Sequence, residues 1–229
     1  MKKIPKSYWK MQKRILPNFE RSQRVYEHYI EKTVQLDTVW LDLGCGHQLC
    51  RTHKNGYAHD EEKVMVNRCK QIFGIDYDID SLAKHKSIRN RIRGEITKLP
   101  FKDKSFDLIT SNMVVEHLDN PKSQFKEINR VLKDKGLILF HTPNKYSHNT
   151  VLSRLIPDSI KTDLIKALDG REESDVFKTY YKVNNRKHIY NVAKESGFAV
   201  SHFNRVIEPV ARLSKFTAIA FFELIYLRV

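Results

Sequence analysis

The chain has 229 residues, 41% of them hydrophobic and 30% charged, which is enough to bury the core of one sizeable soluble domain and excludes a disordered or low-complexity class. Lys and Arg number 41 against 27 Asp and Glu, so the net charge is +14. Such a surplus attracts anions: nucleic acid, lipid head groups or an acidic small molecule. It is equally compatible with a basic surface that has no charged partner.

The three cysteines, Cys45, Cys50 and Cys69, are too few and odd in number for a disulfide framework, which suits a cytoplasmic, reducing compartment. The basic N-terminus has no apolar segment behind it, so no signal peptide is expected. No stretch is apolar enough to span a bilayer. The nearest, Leu213 to Val229, is broken by Lys215, Glu223 and Arg228.

In chain order, residues up to about Val34 read as helix, and Pro17 divides them in two. Residues 1–36 thus form a helical N-terminal extension. Val39 to Leu43 is short and apolar and ends at Gly44, the pattern of a buried strand. Ile72 to Ile75 reads as a second strand. Asp80 to Ser87 reads as a helix capped by Asp80 or Ser81. Phe106 to Ser111 is a further strand. Ser123 to Leu132 is an amphipathic helix ended by Lys135 and Gly136, and Leu137 to His141 is again a strand. Strands alternating with helices predict an α/β fold, a mostly parallel sheet with helices on both faces.

Residues 145–182 break this rhythm and read as an insertion over the sheet's C-terminal edge, with one helix around Leu152 to Leu168. A helix from Asn185 to Ser196, stopped by Gly197, and a last strand from Phe198 to Ile207 follow. The apolar segment 208–229 reads as a helix that is buried, sits in an interface or docks peripherally on a membrane.

Leu41-Asp42-Leu43-Gly44-Cys45-Gly46 places glycines at a strand's end, where backbone approaches a ligand closely. Asp76 ends the next strand, where a carboxylate can accept from a ribose diol. It lies further along than the roughly 20 residues of a dinucleotide fingerprint. Leu49 also stands where that fingerprint has its third glycine, against a nicotinamide enzyme. Cys45, His47, Cys50, His53, His59 and Cys69 do not form the paired spacing of a structural zinc site, so no metal is expected.

LDLGCG (41–46), GIDYD (74–78), the run 93–121 with LPF and NMVVEHLDNP, FKEINRVLKDKG (125–136) and LILFHTPN (137–144) resemble, in order and spacing, class I S-adenosylmethionine-dependent methyltransferases. The likeness is nearest to a small-molecule and lipid branch that includes quinone-pathway enzymes. It implies a Rossmann-like fold and S-adenosyl-L-methionine as cofactor. It implies that Asp42, Gly44, Cys45 and Gly46 surround the amino-acid end of the cofactor and that Asp76 holds the ribose. Tyr77, Glu95 and Ile96 would lie at the adenine, and Asn112 and Met113 near the methionine portion.

Two departures from the family pattern stand out. Gln48 replaces a frequent third glycine, and no segment matches the last antiparallel strand. His117 is the candidate base, His141 a weaker one, and Tyr180 and Tyr181 are candidates for lining the acceptor site. The expected function is methyl transfer to a small-molecule or lipid acceptor. The alternatives are an RNA methyltransferase and a non-catalytic cofactor-binding partner protein, with the basic surface touching an anionic membrane or nucleic acid.

Overall fold

The computed structural model describes residues 6–49, 58–147, 150–151 and 178–208. The helix expected around Leu152 to Leu168 and the apolar segment from Leu213 lie outside them. The described elements are α1 (Lys6–Ile15), α2 (Ser22–Thr33), β1 (Val39–Leu43), α3 (Ala58–Asn67), β2 (Gln71–Asp76), α4 (Ile79–Lys84), β3 (Asn90–Arg93), β4 (Phe106–Asn112), α5 (Pro121–Val131), β5 (Leu132–His141) and α6 (Arg186–Glu195). One 3₁₀ turn, Val115–His117, follows β4.

The chain forms two compact units. The larger, Gln23–Asn144 with Thr179–Phe203, contains the sheet and the helices from α2 onward. In the smaller, Tyr8 and Ile15 of α1 pack with Met11 and Leu16. There the Ser22 hydroxyl and N–H both donate to Glu208 Oε1.

The sheet has five parallel strands in the order β3-β2-β1-β4-β5. Because side chains alternate along a strand, each inner strand feeds two cores. On one face Trp40, Ile72 and Leu108 meet Tyr26, Ile30 and Val34 of α2 and its C-terminal flank, Met65 of α3 and Leu82 of α4. On the other, Leu41, Leu43, Ile75 and Ile109 meet Ile128 and Val131 of α5. α6 joins this second face through Ile189 and Val192, beside Phe125 and Val183. Strands buried on both faces explain the near-continuous apolar run of β1, VWLDL.

Several boundaries differ from the sequence reading. The α4 cap is Asp78, whose side chain accepts from the Asp80 N–H and the Ser81 hydroxyl, so neither Asp80 nor Ser81 is the cap. β3 escaped notice because it is an edge strand with one apolar residue, Ile92, among Asn90, Arg91 and Arg93. α5 is capped by Asn120 and runs directly into β5. Lys133 to Gly136 form an irregularity there, since Phe106 pairs with Leu132 but Leu108 with Leu137. Lys133 Nζ bonds both oxygens of Asp107 across it.

The strand expected over Phe198 to Ile207 is absent. That segment makes no ladder, and Phe198 instead packs edge-on against Phe125 of α5 at 6.2 Å. No antiparallel strand occurs among the described residues.

Candidate active site

β1, β2 and β4 end on the same edge of the sheet, and the strand order reverses direction between β1 and β4. Ligands of open α/β sheets bind at such a switch point, outside the carboxyl ends. β1 delivers the glycine loop there. Gly44 and Cys45 both donate their N–H to Ile75 O, at 2.8 and 3.2 Å, which lashes the loop to β2. Gly44 has φ +64°, and a Cβ on it would stand 2.4 Å from Val114 Cγ2. Gly46 has φ +54°, yet a Cβ there would meet nothing within 4 Å. The first glycine is therefore required by packing, whereas a side chain at the second would meet none of the described atoms within 4 Å.

Asp76 completes the junction. Its Oδ2 accepts from Gly46 N–H at 2.8 Å and its Oδ1 from Asp78 N–H at 2.9 Å. A carboxylate has about four acceptor positions, so both oxygens retain capacity for a ribose diol.

Asp42, on β1, is buried beneath the loop at 4% exposure. Thr110 Oγ1 donates to Asp42 Oδ1 at 2.5 Å and itself accepts from Trp40 Nε1 at 2.7 Å. Burial pushes the Asp42 carboxyl up to about 7, against the Thr110 hydrogen bond and with Glu62 and Asp76 adding to the rise. The Cys45 thiol points into the core, where a Cβ on Gly74 would stand 2.7 Å from it. Burial foremost, with Asp42 and Asp76 adding to it, keeps that thiol protonated. Cys45 can thus meet a ligand only through its backbone.

Glu95 and Ile96 follow β3. Glu95 is exposed and accepts from Thr97 Oγ1, and Ile96 packs against both the β-sheet core and Phe125. Arg130 of α5 braces this loop: its guanidinium donates to Leu99 O, Phe101 O, Asp103 and Glu127, and Glu127 accepts from the Leu99 N–H. Tyr77 is half exposed beyond Asp76, and Gln48 is exposed beyond the glycine loop.

At the end of β4, Asn112 bridges Gln23 of α2 and His141 of β5. Met113 takes φ +58° and donates its N–H to His141 O. His117 lies on the 3₁₀ turn beyond, its N–H donating to Val114 O. Tyr180 and Tyr181 reach the same turn, both donating N–H to Glu116 O.

The glycine loop, Asp76, the Glu95 loop and the Asn112 corner therefore share one edge of the sheet. Gln23, Thr110 and Arg130 were missed. Gln23 sits on a polar helix with no motif, and the other two act only through partners distant in sequence. Among the described residues no group of three or more His, Cys, Asp or Glu is disposed to hold a metal, and no helix is long and apolar enough to cross a membrane. Cys50 and His53 are outside that set.

These features define an open, parallel α/β sheet that carries a glycine loop and Asp76 at its carboxyl edge. Residues 41–140 match the methyltransferase-domain family model. An uncharacterised protein of Methanocaldococcus jannaschii is 26% identical over 211 residues, covering 86% of this chain and 74% of that one. A protein of Mycobacterium tuberculosis, named a probable S-adenosylmethionine-dependent methyltransferase, is 29% identical over 130 residues, covering 56% of this chain and 43% of its own. The chain thus spans less than half the length of that relative.

The crystal structure of an S-adenosylmethionine-dependent methyltransferase from Mesorhizobium loti shares the fold at a TM-score of 0.54 and 17% identity, covering 87% of this chain and 91% of that one. These likenesses support a class I S-adenosylmethionine-dependent methyltransferase domain over residues 41–140, with S-adenosyl-L-methionine as its cofactor. Nothing in these likenesses singles out the quinone-pathway branch.

Proposed function

We propose that this chain transfers a methyl group from S-adenosyl-L-methionine to a small-molecule or lipid acceptor. The observation that carries the reading is the junction of Gly46 and Asp76, a carboxylate bound to a glycine-loop N–H beside open space. In this reading the loop from Asp42 to Gly46 surrounds the amino-acid end of the cofactor. Asp76 accepts from the ribose hydroxyls, Tyr77, Glu95 and Ile96 flank the adenine, and Asn112 and Met113 stand near the methionine portion. The cofactor supplies a methyl group already activated by a positive sulfur, so the protein's share is binding, orientation and water exclusion. Tyr180 and Tyr181, tied to the Glu116 carbonyl, offer aromatic surface to an acceptor.

Calorimetry with S-adenosylmethionine and S-adenosylhomocysteine tests the reading. Binding in the micromolar range, lost in Asp76→Ala, supports it, and the intact protein failing to bind either ligand sinks it. An acceptor screen of lipids and small phenols follows. Turnover confined to RNA, weakening steeply with salt, would replace the acceptor class.

A further inference from the structure

We infer that Glu62 of α3 is a positioning residue for the cofactor, holding the far end of the glycine loop through the N–H of Leu49. The inference rests on the reading of that loop as the seat of the cofactor's amino-acid end. Glu62 Oε1 accepts from the Leu49 N–H at 2.7 Å, across 13 residues of chain. Both residues are 4% exposed. A buried carboxylate is costly unless hydrogen bonds compensate it, and an ionised acceptor makes the stronger kind of bond. The contact is therefore a buried tether between helix and loop.

α3 holds Leu49 in two ways. Met65 lies one turn beyond Glu62 and shares with the Leu49 side chain the core cluster that also contains Cys45, Leu82 and Ile88. The side chain of Leu49 is thus seated by packing while its N–H is held by Glu62. A helix face that packs into an apolar cluster has no need of a carboxylate for burial alone. The charge at position 62 is explained by the amide it receives. Glu62 also adds to the rise of the Asp42 carboxyl, which puts it near the floor of the loop.

The span from Gly46 to Leu49 is consequently held at both ends by carboxylates from different elements. Asp76, ending β2, accepts from the Gly46 N–H at 2.8 Å, and Glu62 accepts from the Leu49 N–H. His47 and Gln48, between the two, are exposed. A span this short with both end amides fixed has few conformations left, so its middle residues meet a ligand already placed. Preorganisation of this kind raises affinity by removing the cost of ordering a loop on binding.

Calorimetry on the full chain tests the assignment with two ligands. S-adenosylhomocysteine carries the amino-acid end, and 5′-methylthioadenosine keeps the nucleoside and the sulfur without it. Glu62→Leu is expected to weaken S-adenosylhomocysteine about 10–100-fold while 5′-methylthioadenosine changes by less than about threefold. Glu62→Gln, which keeps an acceptor oxygen, recovers most of that loss. Hydrogen exchange at the Leu49 amide accelerates in Glu62→Leu and stays slow in the parent and in Glu62→Gln. Should Glu62→Leu fail to fold, Glu62→Asp, whose carboxylate falls one methylene short of Leu49, shows the same selective loss between the two ligands.

Parent-like affinity for S-adenosylhomocysteine in these shortened or apolar variants overturns the inference. So does an equal loss of both ligands, which is the mark of a general structural role, and so does a Leu49 amide that exchanges no faster. Failure of the intact protein to bind S-adenosylhomocysteine overturns the cofactor reading as well, whereas each of the other outcomes overturns the role of Glu62 alone.

Discussion

Two glycines two positions apart have opposite reasons to be glycine. Gly44 has positive φ and Val114 pressed against it, so Gly44→Ala adds a clash to a backbone penalty of about 1–2 kcal/mol. Gly46 has the same backbone sign but open space. Gly46→Ala is expected to cost stability only through that backbone penalty, while its methyl group occupies the volume assigned to the cofactor. Thermal melts and calorimetry on the pair separate the effects: Gly44→Ala melts well below the parent, and Gly46→Ala melts near it but fails to bind S-adenosylhomocysteine. Normal affinity in Gly46→Ala would remove the cofactor from this side of the loop.

At the scale of elements, the loop from Glu95 to Asp103 has little regular structure and depends on Arg130 and Glu127 of α5 for its shape. The Arg130 side chain holds the Glu127 carboxyl below the usual range, against a modest rise from burial. Arg130→Ala leaves the Leu99 and Phe101 carbonyls without these donors, at a cost of about 1–3 kcal/mol. Hydrogen exchange at the Leu99 amide should accelerate while amides of β1 and β4 stay protected. Unchanged exchange at Leu99 would show that the loop holds its shape without Arg130.

This brace also marks how far the sequence could be read. β1, β2, β4 and the glycine loop were legible because their apolar runs and turn residues act locally. Asp76 and Asn112 were legible through a recurring pattern. β3 was not, since an edge strand has little to bury. Nor was the loss of a strand after Gly197, where Phe198 is taken by an aromatic partner on α5. Gln23 and Arg130 carry no local signature, because their roles exist only once distant segments meet.

For the molecule as a whole, two buried groups pull the pH dependence of stability in opposite directions. Asp42 rises from 3.8 to about 7, so the folded state holds a proton that the unfolded state has lost. Stability then falls with rising pH across that window, by about 4 kcal/mol. His85 is lowered from 6.5 to about 4, first by burial and then by Arg91 and His47, so the unfolded state holds the extra proton. Stability rises with pH across that window, by about 3 kcal/mol. The two nearly cancel between pH 4 and 6.5.

Denaturant melts of Asp42→Asn should therefore uncover a stability that climbs with pH over that range. His85→Gln should uncover one that declines. Parallel profiles for the parent and both variants would refute the opposition. The +14 charge adds a general self-repulsion that salt relieves in all three alike.

The all-parallel sheet has a kinetic corollary. Trp40 pairs with Leu108 on one side and with Ile72 on the other, and Gly46 finds Asp76 only after β2 has docked. Every piece of the proposed cofactor cradle thus waits on closure of a long loop, a step that slows folding. A ligand held by β1, β2 and β4 together has nothing to grip until the chain is nearly native. It can then act only as a clasp, lengthening the lifetime of the finished fold while leaving the pace of its assembly unchanged.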